Sequence, residues 1–160
     1  MATENKNLSH YDKTAIPNAK NFRFGIVVSE WNPTITDALF MGAYNTLIEQ
    51  GVPKESILKY DVPGSFELIY GSKKMQQQGV DAVIAIGSVI QGETKHFDFV
   101  CEAVSQGIKD LNIQNDIPVI FCVLTDNTMQ QAIDRSGGKH GNKGVEAAIA
   151  AIQMANLRKQ

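Results

Sequence analysis

The sequence predicts one α/β domain, a flavodoxin-like three-layer sandwich around a four-stranded parallel sheet. Three observations predict it. From residue 21 onward, apolar runs of strand length alternate with amphipathic helical runs. No repeat or low-complexity linker interrupts that alternation. The run AVIAIGS at residues 82–88 is almost wholly apolar, as expected for a strand covered on both faces. A length of 160 residues suits a single domain, and a hydrophobic fraction of 43% supplies a real core.

Taken in order, residues 22–29 (FRFGIVVS) read as the first strand. Asn32-Pro33 then offers an N-cap followed by proline at the first helical position, where its missing N–H costs nothing. Ile35, Ala38, Leu39, Gly42, Ala43 and Leu47 share one helical face, and Gly51 closes that helix. Residues 56–62 form the second strand. A turn at Pro63-Gly64 leads into a helix over 66–78, closed by Gly79. After the third strand at 82–88, a helix over 95–111 sets Phe97, Val100, Cys101, Val104, Ile108 and Leu111 on one side. Residues 118–124 (PVIFCVL) are the fourth strand. Two helices follow, 128–135 and 142–157, split by a Gly-rich loop at 137–141. Residues 1–20 read as a polar, weakly ordered, flexible N-terminal arm, and 21–160 as the domain.

Composition excludes several function classes. The net charge is −2 and no basic cluster stands out, which argues against a nucleic-acid or anionic-membrane surface. No apolar run approaches the ~20 residues that a membrane span needs. The arm has no apolar core of a secretory signal, and with acids and no Arg it is unlike a transit peptide, so a cytoplasmic location is expected. Cys101 falls in a helical pattern and Cys122 in a strand pattern. Both are expected to be buried, reduced thiols, and no Cys/His spacing resembles a zinc site.

In such sheets ligands bind beyond the carboxyl ends of the strands. The segments to inspect are therefore Glu30-Trp31-Asn32, Val62 to Glu67, the loop at 89–95 with His96, and Thr125-Asp126-Asn127. Trp31 suits either a half-buried loop anchor or a platform for a planar ligand; with Phe66 on the same edge, an aromatic ligand is favoured. Glu67, placed in the first turn of its helix, suits either a carboxylate complementing the dipole or an acceptor for a polar ligand. Thr94 suits an N-cap, a phosphate-binding hydroxyl beside free N–H groups, or both. His96 alone of the three histidines sits at this edge. The dipole at a helix N-terminus disfavours a cation, and a neutral imidazole can pass protons in either direction; it also suits a helix-start residue with no role. Arg135 and Lys143 flank the loop at 136–142, either as a phosphate-binding pair or as a helix-end cation beside a Gly cap.

At this point the chain resembles the lumazine synthase family. VPGSFEL at 62–68, GSVIQGETKHFDFV at 87–100, LTDNTMQQAIDRSGGKHGNKG at 124–144 and AAIAAIQMANL at 147–157 resemble its motifs in order, covering roughly residues 22–157. The resemblance implies no metal and no cofactor. It implies condensation of 5-amino-6-(D-ribitylamino)uracil with 3,4-dihydroxy-2-butanone 4-phosphate to 6,7-dimethyl-8-ribityllumazine, releasing phosphate and water. By matching positions it implies a stacking role for Trp31, and a hold on ribityl chain and ring for Ser65, Phe66 and Glu67. It implies backbone contacts to the pyrimidine at Ser88, Val89 and Ile90, phosphate binding at Glu93 and Thr94, and proton transfer by His96. Phe121, Arg135 and Lys143 match residues brought by a neighbouring subunit, Arg135 toward phosphate. Gln91 stands where many members have Arg, Cys122 where Gly is frequent, and Trp31 where Phe is usual.

The resemblance also implies homopentamers, with a 60-subunit icosahedral shell favoured by the short connector at 136–142, and an association with riboflavin synthase. A shared site is expected on geometry too. The helix at 128–135 starts at the ligand edge, and eight residues carry Arg135 roughly 12 Å away from it. Four rivals are weaker or need a test. A flavodoxin-like binding module lacks its Ser/Thr-rich phosphate loop after the first strand, and a phospho-receiver lacks clustered Asp at the strand ends. The archaeal-type riboflavin synthase and a shell protein without turnover are separated by product analysis.

Overall fold

The structure, a computed structural model, describes residues 7–160. Four parallel strands, β1 (Phe24–Ser29), β2 (Ile57–Val62), β3 (Ala82–Ile90) and β4 (Val119–Asp126), lie in the order β2-β1-β3-β4. Helices α1 (Pro33–Glu49), α2 (Leu68–Met75), α3 (His96–Gln114), α4 (Met129–Arg135) and α5 (Lys143–Arg158) complete the predicted alternation. The expected α/β fold with its four-stranded parallel sheet is what the chain adopts.

The three layers follow from alternation along the strands. Phe24, Ile26 and Val28 with Ile84, Ile86, Cys122 and Leu124 face α1 and α5, where Ile35, Leu39, Leu47 and Ile152 bury against them. Val27, Val83, Ala85, Val119 and Val123 face the other way, against Leu68, Met75, Val104, Ile108 and Leu111 of α2 and α3. Burying each such side chain contributes about 1.5–3 kcal/mol. β1 and β3 are buried on both faces, which explains their unbroken apolar sequences. Strand order reverses between them, because β1 leads to β2 on one side and β3 to β4 on the other. That reversal opens a crevice at their carboxyl ends.

Local details depart from the sequence expectations. The loop at 137–141 contains a small antiparallel hairpin, β5 (Ser136–Gly138) and β6 (Gly141–Asn142). Two-residue strands carry no periodicity for a sequence to display. Helix α2 is shorter than expected, so Phe66 and Glu67 precede it rather than opening it. Asn32 does not cap α1. Its backbone is left-handed at φ 59°, a conformation Asn tolerates better than most, and its amide goes elsewhere. The αR region is disfavoured just before Pro33, so the usual geometry of helix entry is restricted there.

Residues 1–6 of the N-terminal arm lie outside the described residues. The remainder runs back over the hairpin: Leu8 N donates to His140 O at 2.7 Å, and Ser9 Oγ accepts from Asn142 N at 2.9 Å. Ala19 is fully buried. Asn142 is a local hub, donating to Ala38 O and Ser136 O and capping α5 through Gly144 N. Among the described residues no helix is long and apolar enough to cross a membrane.

Candidate active site

A cleft of about 610 Å3 opens at the carboxyl edge where β1 and β3 part. Each side is supplied by a strand end. The β1–α1 turn brings Trp31, 72% exposed, and Asn32. The turn after β2 brings Ser65, Phe66 and Glu67, and the end of β3 brings Ser88, Val89 and Ile90. Thr94 and His96 arrive with the loop into α3. Nine of the residues singled out in the sequence thus line one cavity, although they are spread over three loops.

Two of these positions show why local sequence folds this way. Gly64 has no side chain, and a Cβ there would lie 3.0 Å from Glu67 Oε2, so the turn leaves space for the glutamate to fold back over it. A Cβ on Gly87 would lie 2.6 Å from Ser65 Oγ, so β3 passes close beneath the Ser65 turn only because residue 87 is glycine. Asn32 Nδ2 donates to Ser88 O at 3.0 Å and ties the Trp31 turn to the end of β3.

The polar groups in the cleft are poorly satisfied by the protein itself. Ser65 Oγ and Ser88 Oγ are buried with no hydrogen-bond partner among the described residues. Unpaired buried hydroxyls are costly, and a ligand rich in hydroxyl and N–H groups would supply partners. Thr94 Oγ1 accepts from His96 N at 3.4 Å, so Thr94 does serve the helix start. His96 opens α3 with its side chain exposed. Phe66, 54% exposed, faces the same cavity as Trp31, giving two aromatic surfaces for a flat ligand.

The other four residues lie outside this lining. Glu93 is exposed on the loop before Thr94. Phe121 lies within β4, exposed, on the same sheet face as Val119 and Val123. Lys143 opens α5, its Nζ paired with Glu146 Oε1 at 2.6 Å. Arg135 corrects the geometric expectation. The backbone of α4 does run away from the edge, but the side chain turns back. Its Nη1 donates to Gln131 O at 3.1 Å and lies 3.8 Å from Asp126 Oδ1 at the end of β4. Counting rise per residue overlooked that helical side chains tilt toward the N-terminus, and that arginine is long.

Sequence reasoning also missed contributors. Phe97 and Val100 were expected to join the core stripe of α3, yet they line the cleft, while Val104, Ile108 and Leu111 keep the core. One apolar stripe serves both purposes, its first part lining the cleft and the rest the core, and periodicity cannot show where the change falls. The amide of Asn32 was read as a cap, its true partner being 56 residues distant. The thiols offer little chemistry. Burial pushes the Cys122 thiol up to about 12, and burial, then the charge of Asp98, raises Cys101. Among the described residues no three of His, Cys, Asp or Glu gather as a metal site.

Comparison with known proteins agrees with this geometry. The family model described as 6,7-dimethyl-8-ribityllumazine synthase matches residues 21–159. A protein of that name from Flavobacterium johnsoniae is 74% identical, the match covering 100% of this chain and 85% of the relative. One from Christiangramia forsetii is 71% identical over 99% of this chain and 96% of its own length. One from Porphyromonas gingivalis is 53% identical over 99% of both. The chain belongs to the 6,7-dimethyl-8-ribityllumazine synthase family.

Proposed function

We propose that this protein is an enzyme that condenses 5-amino-6-(D-ribitylamino)uracil with 3,4-dihydroxy-2-butanone 4-phosphate to 6,7-dimethyl-8-ribityllumazine, releasing phosphate and water. Family membership over nearly the whole chain carries this reading, and the cleft suits the substrates. Trp31 and Phe66 offer surfaces for the pyrimidine. Ser65 and Glu67 take the ribityl hydroxyls, and Ser88, Val89 and Ile90 meet the pyrimidine edge. Glu93 and Thr94 receive the phosphate at the start of α3.

The reaction proceeds by proton movement. The pyrimidine amine attacks the ketone, and loss of water leaves an imine. Elimination of phosphate, ring closure and a second dehydration follow. His96 moves the protons, while the cleft supplies orientation, which accounts for much of the rate. Lumazine formation followed by absorbance with both substrates tests the reading; product appearing with neither substrate omitted is expected, and no product with folded protein refutes it.

The assembly belongs to the same proposal. Phe121, Arg135 and Lys143 serve the cleft of a neighbouring subunit in a homopentamer. Their position outside the lining of the cleft in their own chain supports this. Pentamers closing into a 60-subunit shell, an association with riboflavin synthase and a cytoplasmic location complete the reading. Co-expressing His96→Ala with Arg135→Ala tests the shared site. In randomly mixed rings about a quarter of interfaces pair an intact His96 with a neighbour's intact Arg135. Activity near that fraction is expected, and mixtures as inactive as both parents would exclude sharing. Native mass spectrometry distinguishes free pentamers from the shell.

A further inference from the structure

One buried acid has no role in the site so far described. Asp126 ends β4 and is only 6% exposed. Burial raises its carboxyl pKa, and the Arg135 guanidinium works against that rise. Its Oδ2 meets no donor among the described residues. Its Oδ1 faces Arg135 Nη1 at 3.8 Å. For the fold alone this is a poor arrangement. A folded pKa raised above the unfolded value favours the protonated form, and that stability is lost as pH rises through the folded value. At neutral pH a carboxylate here therefore burdens the fold, and a neutral side chain of the same shape would serve it better.

Arg135 has the complementary problem. About a third of its side chain is open to solvent, and among the described residues only Gln131 O accepts a hydrogen bond from it. A long, flexible cation is a poor phosphate ligand until its rotamers are restricted, because ordering it on binding costs affinity. Asp126 shares the sheet face of Cys122 and Leu124 and so meets Arg135 from the protein side.

We infer that Asp126 is a positioning residue that holds the Arg135 guanidinium at the carboxyl edge, ready for the substrate phosphate. The inference rests on the reading of Arg135 as a phosphate ligand. It accounts for a buried charge that the fold does not need.

The test uses the assembled full-length protein and three variants: Asp126→Asn, Arg135→Ala and the two combined. For each, the KM of both substrates, inhibition by inorganic phosphate and thermal stability are measured. Asp126→Asn is expected to raise the KM of the ketone phosphate and the inhibition constant of phosphate together. The rise is about two- to tenfold, the range set by ordering one rotamer-rich side chain. The pyrimidine KM should stay put, and stability should hold or improve. In the Arg135→Ala background the same change should add nothing. Unchanged or tighter phosphate binding in Asp126→Asn overturns the inference, since the carboxylate would then be idle or repelling the anion. A parallel rise in pyrimidine KM, or an equal effect without Arg135, also overturns it. If Arg135→Ala alone leaves phosphate inhibition unchanged, the phosphate role of Arg135 itself falls, and the inference with it.

Discussion

The two ends of the sheet are built on opposite plans. At the amino end the protein satisfies most of its own polar groups, Gln76 Oε1 being the exception among the described residues. Asp81 accepts from Arg23 N at 2.8 Å and pairs with Arg158 at 3.5 Å and Lys159 at 3.3 Å. Arg158 also reaches Asp116 at 2.6 Å, and Lys159 lies over the Phe22 ring at 4.4 Å. Asn112 bonds both the N–H and the carbonyl of Val119 at 2.8 and 2.9 Å. At the carboxyl end, hydroxyls are buried without partners among the described residues, and large aromatic rings stand in solvent. The comparison teaches how one sheet divides its tasks. Groups satisfied within the chain hold the fold, and groups left unsatisfied await a ligand.

The sharpest way to break that comparison is at His96. His96→Ala should lower kcat by about 10²–10⁴-fold, the usual contribution of a general acid–base group, with little change in KM or melting temperature. Steady-state kinetics with near wild-type kcat would remove His96 from the mechanism.

The next effect belongs to the other end. Asn112→Leu strips partners from Val119 N and O and should cost about 1–3 kcal/mol for each group left unsatisfied. Denaturant unfolding measures this, and activity per folded molecule should be unchanged. A loss of turnover in fully folded protein would show that the two ends are not independent.

A smaller effect is expected at Trp31. Trp31→Ala should weaken pyrimidine binding by about 0.5–1.5 kcal/mol more than Trp31→Phe does, the extra part coming from stacking. Because Trp31 is the only tryptophan, its emission reports the contact directly, and it should quench as the pyrimidine binds. Emission unmoved at saturation would place the ring elsewhere.

The smallest effect has the most informative sign. Ser88→Ala removes a buried hydroxyl that has no partner among the described residues, so it should leave stability equal or raise it by up to about 1 kcal/mol. The same change should weaken the ligand. A clear loss of stability in the ligand-free protein would mean that the hydroxyl serves the fold after all.

Much of this protein was determined by its sequence alone. Period-two and period-3.6 patterns located four strands and five helices, since a buried face imposes its repeat on whatever residues supply it. The rule that parallel sheets bind ligands at carboxyl ends then directed attention to Trp31, Ser65, Phe66, Glu67 and His96, while Ser88 entered through the family resemblance. What remained depended on distances between residues far apart in the chain. Strand order decided that the crevice lies between β1 and β3. The amide of Asn32, a cap by every local rule, found Ser88 O across that crevice. The reach of Arg135 back to Asp126 depends on a rotamer, which rise per residue cannot supply. Local sequence dictates which elements form because their periodicity is set by nearest-neighbour backbone geometry. Only packing decides which side chains meet, because that choice is made among partners the chain brings together late and from a distance.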